Sequence, residues 1–299
     1  KGQRMAEDAH EQELPEGVLW QGSPAQITNI WRYLLAAVAI VVFLVAGFYG
    51  KNAVGANWPL CDGAVFGLFP ANWASFFEWS HRLVAMVVGV LLLATLYGAW
   101  RWQNDRRIRW GVTGALALLP LQVGLGAVTT TAGGLFPRGF NPVVMVTHFT
   151  TAAAIFGLLV GATLLANPVP GRRRLRGLLA TMGILVVWSA VFDVTGLVPF
   201  YPRYQLLYYG ASYALFGGFL ALVVWTTVSE DRPASGSLWA AGALGTLAIF
   251  FDMVLSRQLF GIDPLLSHAT TALAALALLW AGWSLVRGGR ADRAVPSAE

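Results

Sequence analysis

The stretch Phe77-Glu78-Trp79-Ser80-His81-Arg82-Leu83-Val84-Ala85 decides how this chain reads. It sets a carboxylate, an imidazole and a guanidinium at the mouth of an apolar run from Leu83 to Trp100. Such a run is a candidate transmembrane helix, and charged groups at its entrance are costly unless they are paired or functional. Glu78 and His81 lie three residues apart, so a helix puts them on one face.

The rest of the composition agrees with a bilayer. Of 299 residues, 57% are hydrophobic and only 12% are charged, which is too apolar for a soluble domain and fits an all-α integral membrane protein. The net charge of +5 comes almost wholly from Arg, in short clusters between apolar runs, which argues against nucleic acid as a partner. Cys61 is the single cysteine, so neither an intrachain disulfide nor a cysteine metal cluster can form. With no C-x-x-C-H signature, any haem is held non-covalently.

Residues 1–29 read as a polar, acidic tail with no apolar core of a signal peptide, and Met5 is a candidate native start. His10 falls in this tail and reads as solvated. Eight apolar runs follow, near 30–50, 79–100, 109–130, 143–166, 175–195, 204–228, 238–256 and 264–286. The fifth and seventh carry Asp193 and Asp252 near their outer ends. Basic residues set the orientation. Fifteen fall on one side: Lys1, Arg4, Arg32, Arg101, Arg106, Arg107, Arg109, Arg172, Arg173, Arg174, Arg176, Arg232, Arg287, Arg290 and Arg293. The other side has four, Lys51, Arg138, Arg203 and Arg257, so both termini are expected in the cytoplasm, N-in/C-in.

The chain also repeats. His148-Phe-Thr-Thr-Ala-Ala-Ala matches His268-Ala-Thr-Thr-Ala-Leu-Ala, and each follows an Asx-Pro pair, Asn141-Pro142 and Asp263-Pro264. Gly67-Leu-Phe-Pro before the second run echoes Gly196-Leu-Val-Pro before the sixth. Eight transmembrane helices in two pseudo-symmetric four-helix bundles follow, with boundaries at 30–168 and 169–287, and a cytoplasmic tail at 288–299.

His81, His148 and His268 each stand near the outer start of an inward-running helix, and the fourth equivalent position is Tyr209. Ala85, Ala152 and Ala272 follow the histidines by about one turn, which leaves room for a flat ligand. Imidazoles at one depth on neighbouring helices suit axial ligation of a haem iron. Two plainer readings compete: each histidine hydrogen-bonds a backbone carbonyl for packing, or Glu78-x-x-His81 with His148 holds zinc. Glu78, desolvated, suits proton transfer or stabilisation of a developing positive charge; otherwise it pairs with Arg82, whose guanidinium also suits a haem propionate. Gln122 is a further intramembrane polar group, beside Gly124 and Gly126, which allow close approach. Trp58-Pro-Leu-Cys-Asp-Gly63 makes an aromatic loop that reads either as a lid or as an interfacial belt.

Together, Trp58-Pro-Leu-Cys-Asp-Gly, Glu78-Trp-Ser-His-Arg, Gln122-Val-Gly-Leu-Gly-Ala-Val-Thr and Val146-Thr-His148 resemble the haem A synthase family. The resemblance implies an oxidoreductase of the cytoplasmic membrane, acting in haem A biosynthesis and cytochrome oxidase assembly. It would convert a methyl group of haem O to a formyl group through an alcohol, near the extracytoplasmic side. It implies that the substrate haem lies in the first half, between His81 and His148, with Glu78 as the essential carboxylate. A haem b cofactor would lie in the second half. Haem O synthase and a terminal oxidase assembly are the implied partners, besides the lipid bilayer. The second half departs from the pattern: Tyr209 replaces a histidine, leaving His268, and Phe250-Phe-Asp-Met253 stands where the third run of the half would carry glutamine and glycines. That second haem is five-coordinate, Tyr–His ligated, or absent. The alternative function is a non-catalytic haem-binding or structural subunit of a respiratory membrane complex. A transporter is suggested by the repeat alone and would want broken helices at the midplane, whereas Pro120 is the one proline deep in a span.

Overall fold

The computed structural model describes residues 73–131, 141–192, 202–228, 235–256 and 264–294. All the regular structure among them is helical. The elements are α1 (Trp73–Trp102), α2 (Arg106–Thr131), α3 (Pro142–Leu165), α4 (Arg172–Val191), α5 (Pro202–Thr227), α6 (Ser235–Phe250) and α7 (Pro264–Ala294). A π-helical turn, Phe251–Ser256, extends α6. All seven helices contain a stretch long and apolar enough to cross a membrane. They correspond to the second through eighth apolar runs; the tail 1–29, the first run and the Trp58–Gly63 loop lie outside the described residues.

Local chemistry sets the helix ends. The three residues between α1 and α2 force an antiparallel pair, and Asp105 Oδ1 accepts from the Arg107 backbone N–H at 2.8 Å. The same carboxylate meets the Arg107 guanidinium at 2.8 Å, and that bond holds Asp105 below its ordinary value of 3.8. At α3, Asn141 Oδ1 accepts from Val143 N (2.9 Å) and Val144 N (3.2 Å), with Pro142 in the first turn, where its missing N–H costs nothing. The Asx-Pro pair of the repeat is thus a helix start. Within the spans, threonine hydroxyls bond back to carbonyls one turn earlier, as Thr95 does to Leu91 and Thr163 to Leu159, so no water is needed there.

Packing divides at α3. One face of α3 (Ile155, Leu159, Ala162) joins Val88, Leu92, Ile108 and Val112 of α1 and α2. Its other face (Met145, Phe149, Ala153, Phe156) joins α5 and the rest of the second half. Helices α4, α5, α6 and α7 close a ring in which each packs on the next and α7 returns to α4. The α5–α6 seam depends on glycine: a Cβ at Gly245 would lie 2.3 Å from the buried Phe219 ring, and one at Gly242 would lie 2.9 Å from Phe219 O. Close backbone approach through small residues is how helices associate where lipid removes the hydrophobic driving force.

Candidate functional site

Helices α2 and α3 pack along their length and bring Gln122 to His148. Gln122 Nε2 lies 3.2 Å from His148 Nε2. With the amide so placed, its N–H donates to an imidazole nitrogen that carries a lone pair, the form of histidine that ligates a metal. Gln122 Oε1 is buried and has no hydrogen-bond partner among the described residues, an orphaned acceptor inside a bilayer span. Gly126, one turn on, lies against the imidazole: a Cβ there would be in ordinary contact with His148 Cε1, at 3.5 Å. A Cβ at Gly124 would meet nothing within 4 Å. A neutral imidazole, an unsatisfied amide oxygen and two glycines fit a flat ligand that brings its own metal and polar edge.

Glu78, His81 and Arg82 fall on α1, in its second and third turns, but side chains of α1 are described from Val84 onward. The helix begins at Trp73, six residues before the sequence places the second run, so the whole Glu-x-x-His-Arg motif is helical. Their pairing with each other and with His148 lies outside the described residues.

The second half is arranged differently. Asp252, in the π turn at the end of α6, is 2% exposed and faces the inside of the ring. Tyr208 of α5 donates its hydroxyl to Asp252 Oδ2. Ser267 Oγ and Thr270 Oγ1 of α7 lie 3.0 and 2.9 Å from Oδ1. Tyr208, Ser267 and Thr270 are all buried. Sequence reasoning missed this cluster; the signal available was a carboxylate in an apolar run, with hydroxyl residues flanking the histidine of the next helix.

Tyr209 is buried and turned toward the first half, where its ring lies 5.7 Å from that of Phe149 of α3. It also meets Tyr208 edge-on at 5.3 Å. His268 stands on the exposed face of α7, in register with Leu265, Leu276, Leu279 and Trp283. The buried face of α7 carries Ser267, Thr270, Ala274, Ala277 and Ala281 instead. The structure therefore gives Tyr209 and His268 no common buried surface, and these residues do not fit a haem clamped between α5 and α7.

The fold and site define a polytopic helical membrane protein with a histidine–amide pair inside its first half. Residues 71–193, which span α1 to α4 and include that pair, match the family described as cytochrome oxidase assembly protein. The chain is 32% identical to a heme A synthase of Bacillus licheniformis over 149 residues, 47% of this chain and 46% of that protein. It is 25% identical to a heme A synthase of Methylorubrum extorquens over 321 aligned positions, 84% of this chain and 80% of that protein. It is also 36% identical to a protoheme IX farnesyltransferase of Halobacterium salinarum over 135 residues, 43% of this chain and 28% of that protein. The chain thus spans about a quarter of the farnesyltransferase and about half of the Bacillus protein. The chain is similar to heme A synthases, and its residues 71–193 to the cytochrome oxidase assembly family.

Proposed function

We propose that this protein is a haem A synthase-like oxidoreductase of the cytoplasmic membrane, oxidising a methyl group of haem O to a formyl group through an alcohol. The observation that carries the reading is Gln122 against His148, beside Gly126, in a chain similar to this family. The substrate haem would be held in the first half by His148 and His81 through its iron. Arg82 would pair with a propionate, and Gln122, whose N–H donates to His148 Nε2, would give up that bond when the iron takes the same lone pair. Each of the two oxidation stages, methyl to alcohol and alcohol to aldehyde, passes two electrons to an external acceptor and releases two protons, with water supplying the oxygen atom. Glu78, one turn from His81, would take up one of those protons or stabilise the charge that develops there. The haem supplies the redox-active iron; the chain orients it. The reading includes an eight-helix, N-in/C-in topology with the site toward the extracytoplasmic face, and haem O synthase or a terminal oxidase assembly as partners handling the substrate and product.

His81→Ala and His148→Ala test it. Each removes one axial ligand and shifts the bound haem from six- to five-coordinate, as read from the Soret and α bands of the purified protein. Unchanged spectra in both variants would show that the histidines only pack. The second reading, a non-catalytic haem-binding subunit, is favoured by the arrangement of the second half. It predicts haem b in the purified protein and no formyl product.

A further inference from the structure

We infer that the second half takes no haem of its own, because a buried carboxylate network occupies its interior and holds the ring closed. Counted from the helix starts at Arg106 and Ser235, Gln122 and Asp252 occupy the same register to within one residue. A π turn accommodates one extra residue, and this one contains Asp252. The two positions therefore correspond, yet they reach different targets. Gln122 meets the histidine of the next helix, whereas Asp252 meets Ser267 and Thr270, on either side of His268.

Three consequences follow from that contact. The hydroxyls draw the Ser267/Thr270 face of α7 inward, and an α-helix presents residues one apart about 100° away from each other, so His268 turns outward. Its imidazole then lies on an apolar, exposed stripe roughly 6 Å along α7 from Pro264, taking 1.5 Å per residue, where it can reach the membrane–water interface. On the opposite side, Tyr208 crosses the ring from α5 to the same carboxylate, so three elements are tied at one point. A haem between α5 and α7 would have to break that tie and leave a carboxylate uncompensated inside the bilayer, which is expensive. What remains for the second half is to support the first: Asp252 fixes Tyr208, Tyr208 abuts Tyr209, and Tyr209 packs on Phe149, next to His148.

The inference rests on the proposed function only for the first haem equivalent. Purified protein in detergent is titrated with ferric protohaem and followed at the Soret band, with a His81→Ala, His148→Ala, His268→Ala triple variant as the baseline for non-specific uptake. One equivalent is expected, shifted to five-coordinate in His148→Ala and unchanged in His268→Ala. Two equivalents, one of them lost in His268→Ala, would overturn the inference. No uptake above baseline would sink the first-half haem site of the proposed function while leaving the second half empty, as inferred here. If His268→Ala is poorly produced, the stoichiometry of the unaltered protein decides between one and two.

Discussion

The two halves of this protein start from one pattern and end in different chemistry. In the first, the polar side chain of α2 reaches the histidine of α3, and that neutral amide leaves an oxygen unsatisfied. In the second, the polar side chain that extends α6 is a carboxylate, and donors from α5 and α7 surround it. An unsatisfied buried acceptor is a site waiting for a donor, whereas a carboxylate with its donors in place is a finished tie. The difference shows how two stretches that share a sequence pattern can keep their helices while their polar side chains reach different partners. One residue of helical phase, between Ser267 and His268, separates the two outcomes.

The largest effect that would break this comparison is expected at Glu78. Replacement by Gln preserves shape and removes the proton acceptor, so formyl production should fall by about 10²–10⁴-fold with haem still bound. Loss of haem or of folding in that variant would make Glu78 a structural partner of Arg82 and leave the first half with no chemistry that the second lacks.

Next in size is the tie itself. Asp252→Ala removes the acceptor for Tyr208 and Ser267, while Thr270 can fall back on the carbonyls of Leu266 and Ser267, 3.0 and 2.9 Å away. Losing the bonds of two buried hydroxyls to this carboxylate should cost about 1–3 kcal/mol for each. Thermal unfolding in detergent should show it, with Asp252→Asn, which keeps one acceptor oxygen, intermediate. Equal stability of all three proteins would remove the tie from the account.

Two glycines sharpen the contrast between a closed and an open half. Gly245→Ala puts a methyl group against the buried Phe219 ring and should destabilise by about 1–3 kcal/mol. Gly124→Ala, with nothing within 4 Å, should be neutral or slightly stabilising, since alanine is the better helix former. Similar melting shifts for the two variants would contradict the tight α5–α6 seam.

The smallest effect belongs to Asp105, outside the spans. Its carboxyl is held below its ordinary value first by the bond to Arg107, so the pair stabilises above that ordinary value and loses its contribution as pH falls through the depressed one. Asp105→Asn should therefore lower the melting temperature slightly at neutral pH, and the gap should close in acid. A gap that widens in acid would reverse the assignment.

Much of this was legible in the sequence, and the reasons for the rest are physical. Helix α3 was readable to within a residue at each end, because Asn141-Pro142 caps it and an apolar run fills it. Helix α1 starts earlier than its apolar run, since Glu78, Ser80, His81 and Arg82 interrupt the apolar signal without interrupting the helix. Gln122 and His148 could be picked out singly, as polar groups in apolar runs, though their contact needs the α2–α3 packing. Asp252 does stand near the end of its run, but its burial is not legible there, because its three donors come from two other helices and no spacing joins them. Tyr209 was chosen over Tyr208 by repeat register, but neighbouring residues point about 100° apart, and a one-residue offset decides which faces the ring.

The central claim, a haem O-oxidising site in the first half, is tested most directly by extracting the pigment from purified protein and weighing it by mass spectrometry. Wild type should yield haem O together with haem A, and Glu78→Gln haem O alone. Haem b as the sole pigment in both, or no haem in either, would contradict the account.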